Sequence, residues 1–179
     1  RTAADREALW QAIARGDINV IGSDHVPRHR SAKTDDIWKA SAGFPGLQTL
    51  LPVLLSEGYH RRAIPLARLI DAVTRTPART FGLWPRKGAI AIGADADFAI
   101  VDLDARHTVR AAEQHSGAEY SIYEGWELTG AVQHTMVRGQ FVVRDREVVA
   151  HGGEGRFQPR PRSGAAALHG ALASTEVPV

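Results

Sequence analysis

The sequence predicts an α/β chain, helical in its first half and β in its second, and three features carry that expectation. A helical spacing of apolar residues runs directly into the fully apolar stretch "INVIG" at residues 18–22, the helix-then-strand order of an α/β repeat. Helical patterns return between residues 46 and 84. After Pro85 the pattern changes to short apolar runs punctuated by glycine and aspartate, as strands and tight turns require.

In order along the chain, Asp5 is placed to cap a first helix whose Leu9, Trp10, Ile13 and Ala14 fall on one face, and Gly16 to end it. Residues 18–22 read as a short buried strand, followed by a long mixed loop over 23–45. A second helix is expected from Gly46, kinked or restarted at Pro52. A third begins at Pro65, with Leu66, Leu69, Ile70 and Val73 facing inward, and "TPARTFGL" gives a short fourth, stopped near Gly82. The runs "KGAIAIGADADFAIVDLD" and "GAVQHTMVRGQFVVRDREVV" read as strands, with turns at Gly93, at Asp95 to Asp97, at Arg138–Gly139 and at Arg144 to Arg146. This divides the chain into 1–84, 85–157 and a proline- and alanine-rich tail at 158–179 expected to be flexible.

Composition narrows the function classes. With 22 basic against 20 acidic residues and a net charge of +2, no basic face stands out, and nucleic acid is not an expected partner. No apolar run approaches a membrane span and no signal-peptide pattern opens the sequence, so a membrane partner is not expected either. The absence of cysteine removes disulfides, thiolate zinc sites and cysteine nucleophiles together, and favours a cytoplasmic location by default. The opening "RTAADREALWQAIARG" has Arg rather than Met at position 1 and reads as the interior of a longer chain.

The chemistry-bearing stretch is "GSDHVPRHR". An acid at the C-terminal end of a buried parallel strand stands where α/β barrels and sheets place their active sites. Asp24 is so placed, although a carboxylate there can equally cap the next turn. His25 and His29 are four apart, but Pro27 forbids the helix that would bring them to one face, so they make a weak metal pair by themselves. Arg28 and Arg30 suit an anionic ligand or simply a solvated loop. The remaining histidines are scattered, and no glycine spacing matches a phosphate cradle.

At "GSDHVP" and "AGFPGLQTLLPVLL" the sequence resembles the cyclic amidohydrolases: dihydroorotases, allantoinases and hydantoinases. The resemblance extends over about residues 1–157, through "TPARTFGLWPRKGAIAIGADADFAIVD" and "SIYEGWELTGAVQHTMVRGQFV". It implies the C-terminal part of a TIM-type (β/α)8 metal-dependent hydrolase barrel followed by part of a small β-sandwich. It also implies two roles for Asp24, as a ligand to zinc and as the base that moves a proton from a zinc-bound hydroxide to the leaving nitrogen of a ring amide. The centre implied is binuclear, and the other ligands of such a site, a His-x-His pair, a carboxylated lysine and two later histidines, would lie upstream of Arg1. By the same resemblance Arg28, where dihydroorotases carry a carboxylate-binding histidine, and the adjacent His29 are candidate substrate-binding residues. Backbone groups near Ala42 and Gly43 would hold the ring amide. A dihydroorotase-like activity on a small cyclic amide is the first expectation, with allantoinase or hydantoinase/dihydropyrimidinase second and a non-catalytic scaffold of the same fold third. The full-length protein is expected to form homo-oligomers, and the present chain alone to be inactive.

Overall fold

The first helix, α1 (Ala3–Arg15), starts one turn earlier than its apolar spacing requires, because Thr2 rather than Asp5 is its N-cap. The Thr2 hydroxyl accepts the Asp5 N–H at 3.2 Å while the Asp5 carboxylate accepts the Thr2 N–H at 2.8 Å, so Asp5 closes a capping box instead of opening the helix. Gly16, at φ +92°, ends α1 in the left-handed conformation, as expected. In the computed structural model, which describes residues 2–153 and 155–159, residues 18–22 do not form a strand. Among the described residues no strand pairs with them; instead the Ile21 N–H donates to the Ala72 carbonyl, and the Arg68 guanidinium reaches the carbonyls of Ile13 and Ile18. The apolar side chains of this segment nonetheless join the core, since Ile18 and Ile21 pack against a cluster of Ile13, Leu54, Ile64 and Leu69.

The second helical region begins later than Gly46. Residues 47–49 form a turn, α2 (Leu50–Val53) follows with Pro52 in its first turn, and the chain then widens into a π-helical stretch, Leu54–His60. A proline in the first helical turn forfeits no intrahelical bond, so Pro52 neither kinks nor ends the helix. Gly58 is required here by space: a Cβ on it would lie 3.0 Å from Leu69 and 3.1 Å from Trp10, so the missing side chain lets α1 and the next helix close on this segment. That helix is α3 (Leu66–Val73), with Leu69 and Ala72 fully buried, and α4 (Arg75–Thr80) follows at once.

All strands follow Pro85. They are β1 (Phe98–Thr108), β2 (Glu127–Val137), β3 (Gln140–Arg144) and β4 (Glu147–Val148), joined in sequence order as one antiparallel sheet. The β1–β2 register slips between Asp102 and Arg106, where the Asp102 carboxylate accepts the N–H groups of Asp104 and Ala105 and so stabilises the bulge. The turns expected at Arg138–Gly139 and around Asp145–Arg146 are present, each with residues at positive φ. The run "AIAI" at 89–92 is not a strand: Ile90 is 88% and Ile92 107% exposed, and without a pairing partner the segment stays irregular. The sheet meets the helical part where Gly130, at φ +101°, lies so close to Leu55 that a Cβ would sit 2.8 Å from the leucine Cβ. Leu55 and Leu128 are both fully buried there. Most of the tail expected at 158–179 lies outside the described residues.

Candidate active site

The loop after residue 22 is long but well connected. Its base closes where His25 pairs in parallel with Phe44 and the Val26 N–H donates to the Phe44 carbonyl at 3.0 Å. A short 3-10 turn, Arg30–Ala32, and a tight turn in which the Asp36 carbonyl accepts from Lys39 and Ala40 fold the excursion back on itself, and Ser41 then donates to Ala32. Trp38 at the tip is 93% exposed, so among the described residues it anchors no core.

Asp24 sits at the root of this loop with φ +48°, a left-handed conformation that aspartate tolerates better than most residues. It is exposed, and among the described residues its carboxylate has no hydrogen-bond or ion-pair partner, so it caps no turn. Both oxygens are therefore open to a ligand. His25 is spent differently: its Nδ1 accepts the N–H groups of Gly46 at 3.1 Å and Leu47 at 3.2 Å, which places its proton on Nε2.

Gly43 packs directly against Val26, two residues from Asp24. At φ +103° it can carry no side chain, since a Cβ would lie 2.6 Å from the Val26 Cβ. Its carbonyl accepts from the Lys33 ammonium and, at 3.4 Å, from the Tyr120 hydroxyl. Lys33 also donates to the Ser41 carbonyl at 2.6 Å. The Gly43 carbonyl is thus occupied, whereas the Gly43 N–H and both backbone groups of Ala42 make no hydrogen bond among the described residues. Of the residues singled out from sequence, Asp24, Ala42 and Gly43 lie on the two adjoining segments at the loop base. Arg28 and His29 lie further along the loop, exposed, without a side-chain bond to either segment.

Three residues passed over in the sequence shape the site. Lys33 and Tyr120 hold the Gly43 carbonyl, and Gln48 ties the start of the second helical region to residues 113–115, donating to the Glu113 carbonyl at 3.3 Å and accepting from the His115 N–H at 2.8 Å. A cleft of about 170 Å³ opens beside His25, lined by Gly46, Leu47, Gln48 and His115. Among the described residues no three His, Asp or Glu side chains converge as a metal site would require. Asp24 by itself fits as one metal ligand, on the strength of its free and accessible carboxylate.

Known proteins are similar to this chain over most of its length. The chain is 38% identical over 163 residues to an L-hydantoinase of Paenarthrobacter aurescens, covering 89% of this chain and 36% of that protein. It is 38% identical over 158 residues to an allantoinase of Rubrobacter xylanophilus, covering 88% and 34% respectively. Its structure superposes on a crystal structure of dihydropyrimidinase from Brevibacillus agri with a TM-score of 0.86 at 33% identity, covering 89% of this chain and 36% of that one. The chain therefore spans about a third of the length of these relatives. Residues 1–142 match the Amidohydrolase family, and with that match the chain is shown to belong to the amidohydrolase family.

Proposed function

We propose that this chain carries part of the active site of a metal-dependent hydrolase that opens a cyclic amide at its ring C–N bond. The observation that carries the reading is the free Asp24 carboxylate at the root of a loop whose Ala42 backbone groups and Gly43 N–H are left unbonded among the described residues. In this reading residues 1–84 are the end of a (β/α)8 barrel and the sheet is part of a β-sandwich. The likeness to hydantoinases, a dihydropyrimidinase and an allantoinase supports a ring of the hydantoin, dihydropyrimidine or allantoin type ahead of dihydroorotate.

The chain's own residues divide the work by their chemistry. The unbonded N–H and carbonyl of Ala42, on successive peptide units, present a donor and an acceptor, the complement of a ring amide's C=O and N–H. The Gly43 N–H, by contrast, shares a trans peptide with the Ala42 carbonyl and points the opposite way. Asp24 takes up the proton released as water adds to the ring carbonyl and returns it to the nitrogen that leaves. Zinc, with Asp24 as one of its ligands and the others from outside this chain, would supply a Lewis acid for the carbonyl and acidify water toward neutral pH. Since a catalytic zinc needs about three protein ligands, the 179 residues alone are expected neither to hold zinc tightly nor to turn over substrate.

Dihydroorotate, the first expectation from the sequence, becomes the second reading, kept because of Arg28, whose guanidinium is exposed and, among the described residues, without a partner four residues beyond Asp24. The test is ring opening of hydantoin, dihydrouracil, allantoin and dihydroorotate by the polypeptide that carries these residues together with the remaining two-thirds of such an enzyme. Turnover of one of the first three, with dihydroorotate at least tenfold slower, is expected. No ring opening of any of the four by the zinc-loaded protein would overturn the proposal.

A further inference from the structure

The His25 side chain links the root of the loop to the far end of its return. Its backbone pairs with Phe44, and its ring reaches across 21 residues of sequence to accept the Gly46 N–H, and across 22 to accept the Leu47 N–H. These two amides open the turn that precedes α2, where N–H groups have no partner within the helix, so the imidazole supplies a cap from a distant part of the chain. One in-plane lone pair on Nδ1 serves both donors, and Nε2 carries the proton. In this arrangement neither nitrogen has a lone pair to offer a cation, which separates His25 from the metal chemistry of its neighbour Asp24.

From this geometry we infer that His25 is a positioning residue, fixing the distance between Asp24 and the Ala42–Gly43 backbone groups that would hold the ring amide. The inference rests on the cyclic-amide reading above. Two other contacts set the same distance, the Val26 N–H on the Phe44 carbonyl and the packing of Gly43 against the Val26 side chain, but both act on the near side of Pro45. The far side, where the chain turns toward α2, is tied to the loop root by the His25 ring through Gly46 and Leu47. Without it the return of the loop can pivot about Phe44, and displacements on the order of 1 Å are enough to reduce substrate handling by up to about a hundredfold.

The experiment uses His25→Ala and His25→Asn in the complete zinc-loaded protein, with amide hydrogen exchange read at Gly46 and Leu47 and kcat and KM read on hydantoin. Asparagine places an acceptor oxygen close to where Nδ1 stands, and so tests the hydrogen bonds apart from the ring. The expected result in His25→Ala is exchange at both amides at least tenfold faster and KM at least tenfold higher, with kcat within threefold and zinc content unchanged; His25→Asn should return exchange and KM most of the way to wild type. Unchanged exchange in His25→Ala would overturn the inference. So would a loss of kcat and zinc at unchanged KM, which would put His25 at the metal rather than at the loop, or a failure of His25→Asn to restore either quantity. If the wild-type protein opens no ring, the functional reading falls on that result, while the exchange rates still decide whether His25 anchors the loop.

Discussion

Lys33 Nζ donates to the Ser41 carbonyl at 2.6 Å and also to the Gly43 carbonyl, so a half-buried ammonium holds two carbonyls of the loop that faces Asp24. Among the described residues it has no carboxylate partner, and the backbone dipoles alone compensate its charge. Lys33→Met keeps the length of the side chain and removes the donors. It should lower stability by about 1–3 kcal/mol, the range for stranding polar groups at a partly buried site, and raise KM for the ring substrate. Urea unfolding and steady-state kinetics check both, and an unchanged KM would separate Lys33 from the site.

Gly43 and Gly93 both hold positive φ, at +103° and +91°, but only Gly43 has a neighbour in the way. Gly93→Ala should cost on the order of 1 kcal/mol, the strain of an L-residue in that region. Gly43→Ala adds a collision with Val26 and should cost about 3 kcal/mol or more in total. Denaturant midpoints of the two variants give the comparison directly; equal costs would mean that the loop yields at Val26.

Burial holds the His107 imidazole below the usual histidine range, and the nearby Arg146 pushes the same way against Glu113 and Glu127. Among the described residues its Nδ1 has no hydrogen-bond partner. The unfolded chain therefore binds this proton at higher pH than the folded one, and stability rises with pH between the two values. The stabilisation is complete above about pH 6.5 and is lost as pH falls through the lower folded value. Melting temperatures from pH 7.5 to 5 should fall more steeply in the wild type than in His107→Phe. Parallel curves would show that His107 titrates normally.

Ile90 and Ile92 stand almost fully in solvent along a shallow depression of about 380 Å³ that Phe98 also lines. Apolar groups so concentrated favour association. The 179-residue chain should therefore self-associate in light scattering, and the double change Ile90→Lys with Ile92→Lys should reduce it. A monodisperse wild-type monomer would show that these residues cause no association.

The sequence made the helices readable because their apolar residues recur at helical spacing, and Gly16 and Gly82 mark ends that the structure confirms at positive φ. It misled at residues 18–22 and 89–92 for one physical reason: an apolar run announces burial, but a strand exists only with a partner to complete its ladder. At the candidate site, a motif singles out Asp24, Ala42 and Gly43, and the structure places them on two adjoining segments. Lys33, Tyr120 and the ring of His25 were not legible, because their partners are backbone groups 8 to 77 residues away, which no local pattern encodes.

The central claim is that Asp24 moves a proton during hydrolysis of a ring amide, and one substitution tests it most directly. Asparagine tolerates the left-handed backbone that Asp24 adopts at φ +48°, so Asp24→Asn should fold and melt as the wild type does. The measurement is kcat/KM for hydantoin in the complete, zinc-loaded wild type and in Asp24→Asn, with zinc content determined in both. The account predicts a fall of at least about 100-fold, the contribution of a general base, in protein that retains its fold and part of its zinc. Near-normal turnover in Asp24→Asn would contradict it.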